Sequence, residues 1–552
     1  MEKQMTNTID TETIVTGVST FEWDTTFTTT FDIINKEIKA KSTYPAEFNN
    51  STNTTELLDY LKEEEKNKIL NTANNSIQIQ GKWGQWELAL RGNGNNIFVN
   101  LPITSGTISF GEETGKLDNG SITVMVTLLF ESQKDDIIQK RELVLTNPTN
   151  SQVSVIDHSF PELDPESDLE LLVEGSFKRY FNTEQVLQQF RYVFSTININ
   201  DKATGDFAWL KPSDTGYAVF TPTTQPKEEN SLFSILCMTN NKIAPPYIQQ
   251  SVDATVLNEK TTGCNAVLCI SSQRFCEKLL ITAAMKTIVG TTKEDYSYST
   301  DGSEIHNVRE ITFKNVTVSE GKEVDLKIAP LNFSLEVKND HLDLSITDAS
   351  FSETLYTAYL TLTQRIEFET KKVGNKTVFT LKEGDEFKGK VHAVIEPTET
   401  AEIIKWVGVA LDILSAITLI SAGALKLIAK CTTTATAAAA TVADAAASTA
   451  EIEAASTMAI EGIAAGAGAA KAPMLANRLL AIGSLCTVIG LPFTLVEPIA
   501  IAIGEDKFDK VPSLEDFAEN FLSEISWNGI EKTTLLGARL NDALLLDFKL
   551  EE

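Results

Sequence analysis

The chain is poor in the residues that build most enzyme and metal sites. Its 552 residues include only four histidines, and His158, His306, His341 and His392 do not lie at the spacing of metal ligands. The sequence also lacks a serine-hydrolase elbow, a phosphate-binding loop and a dinucleotide-binding glycine motif. We therefore predict a protein that is not an enzyme and that has no catalytic residue, no metal and no other cofactor.

Cysteine is scarce, and six cysteines in so long a chain do not resemble a disulfide framework. Three of them are clustered, but zinc would need a fourth ligand that the neighbourhood lacks. We predict free thiols at Cys237, Cys264, Cys269, Cys276, Cys431 and Cys486, as is typical of synthesis in a reducing cytoplasm. The segment Met1–Gly17 is polar and shows no secretory signal, so we expect any release from the cell to use a non-classical route.

Positive charge is the third shortage. Lys and Arg total 47 against 76 Asp and Glu, which gives a net charge of -29 at pH 7. Such a charge repels polyanions, so we predict that nucleic acid is not a partner. The charge also opposes adsorption to an anionic bilayer, but it falls as the pH approaches the isoelectric point of about 4.6. We therefore consider a membrane partner under acidic conditions.

Hydropathy patterns predict two helices and then many strands. Apolar residues recur at helical spacing from Trp23 to Lys41, and a second, charged helix is predicted over 55–70. From position 76 the period becomes two, with a hairpin turn at 92–95 and another strand over 122–130. Further alternating strands, one of which begins at Leu331, cover 311–346. Because parallel βαβ units are not evident, we predict an α+β fold of long antiparallel sheets wrapped around helices.

The last third of the chain contains a hydrophobic block. Two strongly apolar runs, 403–428 and 479–496, flank an Ala-rich stretch, and both are near the length of about 20 residues that crosses a bilayer. Two interpretations stay open: a buried helical hairpin, or a segment that inserts into membranes in acid. Predicted membrane-contact residues are Ile413, Leu414, Ile417, Leu479, Leu480 and Ile489. After the block, a helix near Ser513 and a strand over 536–548 are predicted.

Several motifs resemble one known family. These are Glu22-Trp23-Asp24, the helix 31–36 with its Asn35, the strand 192–200 followed by Trp209-Leu210-Lys211-Pro212, and the closing segment 521–527. They are similar to segments of the forty-seven-kilodalton protein and OrfX family of clostridial toxin gene clusters. The resemblance implies a tubular lipid-binding (TULIP) type of fold, in which long bent antiparallel sheets wrap long helices and leave an apolar interior. It also implies an accessory role beside bacterial toxins, and no catalysis.

Within that frame, the domains are a TULIP-like N-terminal half (1–165), a second sheet region (166–400), the hydrophobic helical segment (401–510), and a C-terminal helix and strand returning to the sheet (511–552). The residues expected to contact a lipid or other apolar ligand are Phe27, Phe31, Ile34, Ile38, Ile77, Ile79, Trp86, Leu88 and Val99. The same residues also suit an ordinary core. Two functions follow: a lipid-binding accessory protein with toxin-cluster proteins as further partners, or a membrane-inserting toxin component that uses residues 401–503.

Overall fold

The computed structural model describes part of the chain in detail. The described residues are 17–41, 44–61, 63, 66, 76–134, 139–145, 153–189, 193–198, 208–258, 260–281, 284–285, 288, 290–317, 323–352, 356–373, 376–381, 390–397, 525–527 and 532–551. The predicted hydrophobic block and the predicted helix after it lie outside these residues. No helix among the described residues is long and apolar enough to cross a membrane.

Most of the described chain is β-strand. The strands before residue 200 are β1 (Thr25–Thr30), β2 (Glu47–Asn53), β3 (Ser76–Trp83), β4 (Glu87–Gly94), β5 (Asn96–Phe110), β6 (Glu113–Lys116), β7 (Ser121–Val126), β8 (Leu129–Lys134), β9 (Gln139–Val144), β10 (Ser154–Ser159) and β11 (Val193–Asn198). The next are β12 (Pro212–Phe220), β13 (Leu232–Thr239), β14 (Ala266–Ile270), β15 (Tyr296–Tyr298), β16 (Glu304–Asn307), β17 (Ile311–Thr317), β18 (Glu323–Ile328), β19 (Phe333–Lys338) and β20 (His341–Ser352). The last are β21 (Tyr356–Val373), β22 (Lys376–Leu381), β23 (Lys390–Pro397), β24 (Ile525–Trp527), β25 (Lys532–Leu540) and β26 (Leu544–Glu551).

Helices are few and mostly short in the part of the chain that the structure describes. They are α1 (Phe31–Lys41), α2 (Thr54–Leu57), α3 (Asp168–Phe181), α4 (Glu184–Gln189) and α5 (Ser272–Arg274), which continues as a π-helical turn (Phe275–Leu280). Short 3₁₀ turns occupy Leu58–Tyr60, Ala208–Leu210, Glu228–Asn230 and Lys293–Asp295. The longest described helix, α3, has 14 residues. The α+β class is therefore confirmed, whereas the long helices expected of a TULIP-like fold do not occur in the described residues.

The described strands form three sheets. The largest has 13 strands, with the main path β10-β7-β5-β4-β12-β13-β1-β14-β26-β25, and β2, β3 and β6 extend it through β5. A four-stranded sheet has the order β24-β11-β9-β8. The third sheet has nine strands, with β15-β16-β19-β20-β18-β17 as its path and β21 joining β20 to β22 and β23. The largest sheet combines strands from three of the four predicted regions, because β1, β13 and β26 all belong to it.

Strand β5 bends the largest sheet around a helix. Its first half pairs with β4 and β7, and its second half pairs with β3 and β6. Helix α3 packs against β3, β5, β6 and β10, so it lies inside the bend. Helix α1 packs against β4, the 3₁₀ turn Glu228–Asn230 and β1. One strand of 15 residues therefore forms part of the wall on both sides of the interior.

The predicted helix from Trp23 to Lys41 is wrong in its first half. Residues Thr25–Thr30 form β1, paired with β13 on one side and β14 on the other. Five of these six residues are threonines, whose β-branched side chains favour strands, and all six are buried. The helix begins only at Phe31, so Phe27 belongs to a strand. Phe27, Phe31, Ile34 and Ile38 have helical spacing, but the boundary between strand and helix lies between Phe27 and Phe31, at the end of the threonine-rich segment.

Other predicted elements need smaller corrections. The helix predicted over 55–70 includes described helical turns at 54–57 and 58–60, and much of its remainder lies outside the described residues. The strand predicted over 122–130 is interrupted at Thr127 and Leu128, between β7 and β8. The strand over 536–548 is two strands, because Asp542 adopts a φ of 54° in a turn. Leu331, with a φ of 67°, lies in a turn before β19.

Both faces of the central strands are buried. In β13 all eight residues are buried; Ile235 belongs to the main core, and Leu236 belongs to a second core on the other face. The loop between β13 and β14 and the N-terminal turn cover that second core, which includes Trp23, Val256 and Leu545. The apolar interior beside α1 and α3 is one part of the main core, which also extends into the nine-stranded sheet.

Candidate functional site

All nine residues predicted to contact an apolar ligand lie in the main core. Their exposed fractions range from 0% to 6%. Water can reach almost none of their surface, either from outside or from an internal cavity, so protein atoms cover these side chains. Phe31, Ile34 and Ile38 lie on α1, which packs against β4 and β1, whereas Ile77 and Ile79 lie on β3, against which α3 packs.

Asn35 fastens helix α1 to the sheet. Its Oδ1 accepts a hydrogen bond from Leu88 N at 2.7 Å, and its Nδ2 donates to Glu228 Oε1 at 3.1 Å. Asn35 is 5% exposed, so these bonds satisfy a buried amide. The side chain thus holds the apolar stripe of α1 in register against β4.

An aromatic cluster lies where α3 meets the bent sheet. Phe48 is central to it: its ring centroid is 4.5 Å from that of Trp83 and 5.3 Å from that of Phe177. The Trp83 and Phe181 rings stack at 6.0 Å. The cluster comprises Phe48, Trp83, Phe160, Phe177, Tyr180 and Phe181, and Trp83 also contacts Trp86. Such rings bury large apolar areas and hold one another in preferred tilted or stacked geometries.

Tyr180 places a hydroxyl inside this aromatic cluster. Burial raises the pKa of Tyr180 to about 12, and the nearby Trp83 indole opposes part of the rise. The hydroxyl therefore stays neutral at any physiological pH. A phenol and an indole N–H are the kind of polar groups that orient a ligand in an otherwise apolar site.

Helix α3, which supplies half of this cluster, was not predicted from the sequence. The signal was present: Ser167 and Glu170 have the spacing of a capping box, and the Ser167 side chain accepts a hydrogen bond from Glu170 N. Buried apolar residues then follow at helical spacing, at Leu169, Leu172, Val173, Phe177, Tyr180 and Phe181. The periodicity rule applied to the first helix would have found this one.

A buried ion pair lies at the start of β1. Asp24 is 2% exposed and Arg274 is 0% exposed, and Arg274 donates to Asp24 Oδ2 at 2.6 Å. Asp24 also accepts bonds from Thr239 N, Thr239 Oγ1 and Lys242 Nζ. The second partner of Arg274 is Glu277, at 2.7 Å. One carboxylate therefore ties together the start of β1, the end of β13 and helix α5.

These features occur in a fold and a sequence with known relatives. A family model described as OrfX-like, Protein OrfX2/OrfX3/P47, matches residues 20–370. The chain belongs to this family. The resemblance to the OrfX/P47 toxin-cluster family seen in the sequence is thereby confirmed.

Individual relatives are distant. Protein OrfX3 of Paraclostridium bifermentans is 23% identical over 367 residues, which cover 60% of this chain and 68% of that protein. Protein OrfX3 of Clostridium botulinum (strain Kyoto / Type A2) is 22% identical over 289 residues, which cover 48% of this chain and 54% of that protein. The structure of P47 from Clostridium botulinum A2 is similar with a TM-score of 0.58 and 14% identity, and covers 96% of this chain and 98% of that chain. That likeness shows a shared fold.

The motifs that carried the OrfX/P47 resemblance have structural roles. Trp23 is buried in the second core and donates its indole N–H to Gln249 O at 2.9 Å, while Asp24 forms the buried ion pair. Trp209 is partly buried and packs against the main core, as expected of a packed turn before Pro212. Strand β24, in the closing motif, pairs with β11 of the strand motif. The motifs thus mark positions where distant segments meet.

The thiols and histidines show no reactive arrangement in the described part of the chain. Cys237, Cys264, Cys269 and Cys276 are free and buried, and burial raises the pKa of each, to about 12 for Cys237 and Cys269. Among the described residues no group of three or more His, Cys, Asp or Glu could hold a metal ion. Cys431, Cys486 and the six predicted membrane-contact residues lie outside the described residues.

Proposed function

We propose that the protein is a non-enzymatic accessory protein of a bacterial toxin gene cluster that binds an apolar ligand, a lipid above all. The ligand would occupy the interior between the bent sheet and helices α1 and α3. We also propose that this arrangement is TULIP-like and that other toxin-cluster proteins are partners. The observation that carries the proposal is the pairing of β5 with different strands in its two halves, which places strands of both groups against the buried face of α3 and joins their apolar side chains in one core.

The chemistry of that interior supports an apolar ligand. The predicted contact residues and the aromatic cluster belong to one continuous core, and charged side chains are confined to a few positions in it. Because the interior is filled in this structure, a ligand would replace helix–sheet contacts as it enters. A helix of 14 residues whose buried face is aromatic is suited to such an exchange, since an acyl chain offers the same kind of contact.

The proposal that the protein has no enzymatic activity is supported by the state of its nucleophiles. The four described thiols are buried, with raised pKa values, so they are poor nucleophiles near neutral pH. His158 pairs with Glu170, and His341 lies between Asp340 and Asp343, without a serine or cysteine partner in either pair. Free thiols also support our proposal of synthesis in the bacterial cytoplasm, followed by non-classical release.

The test is uptake of a fluorescent fatty acid, cis-parinaric acid, by the full chain and by Phe31→Trp and Ile34→Trp variants. Each larger ring occupies space at the α1 wall, so we expect weaker uptake, together with an overpacking cost of about 1–3 kcal/mol in the free energy of unfolding. Phe333→Trp is the matched control, because Phe333 is 1% exposed in the nine-stranded sheet. Its uptake should equal that of the parent protein.

Mass spectrometry of organic extracts adds a second measurement. A stoichiometric lipid that co-purifies with the parent protein and is depleted from Phe31→Trp supports the interior site. Unchanged uptake in a folded Phe31→Trp or Ile34→Trp variant, or equal losses in Phe333→Trp, rules out this site.

A further inference from the structure

A cleft of about 810 Å³ lies on the face of the large sheet opposite to the aromatic cluster. Segments that are far apart in sequence form it: residues 17–23, Met238, residues 242–245, 271–273 and 300–301, and the turn at 542–543. The volume is within the range of about 300–1,000 Å³ that is usual for ligand sites. None of the residues predicted to bind the apolar ligand lines this cleft, so it is separate from the proposed interior site.

The floor of the cleft is apolar and firmly held. Val18, Trp23, Met238 and Ala543 are each at most 5% exposed and belong to the second core. The loop on one side is fixed by several bonds, including Ala244 N to Asp214 Oδ2 at 2.9 Å and Ser213 Oγ to Lys242 O at 2.6 Å. The cleft is therefore preformed, and a ligand need not order it.

The loop beside the cleft carries two exposed apolar side chains, of which Ile243 lines the cleft. Ile243 is 79% exposed and Tyr247 is 81% exposed, the largest exposed fractions among the described large apolar residues. Residues 243–252 contain no charged side chain, although the whole chain carries a net charge of -29. Exposed Ile and Tyr on a fixed loop are typical anchors of protein interfaces.

The titratable groups that line the cleft are Glu22, Lys242, Asp301 and Asp542. Lys242 contacts Asp24, 3.2 Å away, and the three carboxylates outnumber this one lysine, so the lining of the cleft is net negative. Hydrogen bonds from Ser299 and Ser303 lower the pKa of Asp301, which therefore stays ionised. Burial raises the pKa of Asp542, a cost that a cation beside it would relieve.

The turn that carries Glu22 is strained. Phe21 and Glu22 have φ angles of 50° and 69°, and Trp23 N closes the turn on Thr20 O at 3.0 Å. Turns with two successive positive φ angles usually contain Asn or Gly, because other side chains are disfavoured there. In this turn conformation, both Phe21 and Glu22 line the cleft.

We propose that the cleft binds a basic, apolar peptide segment of a partner protein. A Lys or Arg side chain of the segment would lie among Glu22, Asp301 and Asp542, and a large apolar side chain next to it would cover Ile243. Charge complementarity favours the cationic side chain of the peptide, and the apolar floor together with Ile243 favours a large apolar side chain beside it.

The test uses fluorescein-labelled peptides and fluorescence anisotropy with the full chain at low salt. Leu-Lys-Phe-Arg-Leu should bind, whereas Leu-Glu-Phe-Glu-Leu and Ser-Lys-Ser-Arg-Ser should bind much more weakly. Ile243→Ser should weaken binding of the first peptide about tenfold, because an apolar contact is lost. Glu22→Gln should weaken it about two- to fivefold, and added salt should reduce that difference.

Two substitutions outside the cleft serve as matched controls. Leu331→Ser removes another exposed apolar residue, 68% exposed, and Glu310→Gln removes another exposed carboxylate. Both should bind the basic apolar peptide like the parent protein, and all four variants should keep the parent urea midpoint. Equal binding of the acidic peptide, equal weakening in the control variants, or no binding of the basic apolar peptide would overturn the proposal.

Discussion

The buried ion pair between Asp24 and Arg274 offers the sharpest test of how this fold is held together. Asp24→Asn keeps the shape of the side chain but removes its charge and one of its two acceptor oxygens. The four donors that converge on Asp24, from Thr239, Lys242 and Arg274, then compete for a single carbonyl oxygen. Arg274, which is 0% exposed, keeps only Glu277 as a charged partner.

Breaking a buried pair by removing one partner costs about 3–5 kcal/mol, because the remaining charge stays desolvated. Glu277 still faces Arg274, so we expect the lower end, about 3 kcal/mol, for Asp24→Asn. The Lys242 contribution is below about 1 kcal/mol, since exposed pairs are screened, and Lys242 is 37% exposed.

The assay is urea unfolding of the parent and of two further variants. Asp214→Asn is the matched control: its carboxylate pairs with Arg141 at 3.3 Å and accepts a hydrogen bond from Ala244 N, but both members of the ion pair are more than 25% exposed, so we expect only about 1 kcal/mol. The double variant Asp24→Asn/Arg274→Met also removes the buried positive charge that Asp24→Asn leaves without its main partner. Its free energy of unfolding should therefore be higher than that of Asp24→Asn alone. A loss in Asp24→Asn no larger than that in Asp214→Asn, with the double variant no better, would refute the reasoning.

Two other predictions concern acid. Burial pushes the pKa of Glu277 up, but Lys278 and Arg274 lower it more, so the folded pKa lies below its ordinary value. The ionised Glu277 therefore contributes its full stabilisation of the fold above about pH 4.3, and this contribution is lost as the pH falls further. Below that pH, the urea midpoint of Glu277→Gln should decrease less than that of the parent protein. The second prediction concerns the block at 403–503. An environment-sensitive dye is attached to a single cysteine that replaces Ala424, in a variant whose two native cysteines of the block are replaced. If carboxylate protonation permits insertion, the dye emission should shift to the blue when liposomes are present and the pH is lowered from about 7 to 4.5. No shift at any pH would leave only the buried-hairpin interpretation, and the buried described thiols keep the labelling selective.

Many of the strands could be predicted because apolar and polar residues alternate along a strand that has one buried and one exposed face. The hairpin of β4 and β5 and the strands β17 to β20 follow this rule. Strand β13 does not, since all eight of its residues are buried, and no strand was predicted there. A strand with cores on both faces has no period for a sequence argument to detect.

The helices were harder because local spacing does not show where one element ends. Phe27, Phe31, Ile34 and Ile38 fit one helical stripe, but Phe27 enters the main core from a strand. Residues 25–30 form a strand because they pair with β13 and β14, which lie more than 200 residues away in the sequence. Threonine favours a strand by less than about 1 kcal/mol per residue, so only those partners make the choice clear.

The family motifs show why a resemblance can be correct while its functional interpretation needs separate evidence. Trp23, Asp24 and Asn35 could have been ligand residues, yet each contacts a distant backbone or side-chain group of its own chain. Substituting them would disturb ligand binding through the fold, whichever site the ligand uses. Ile243 and Glu22 differ in this respect, since both are exposed and line a preformed cleft. Loss of partner binding in those two variants, at unchanged stability, would therefore report on recognition itself.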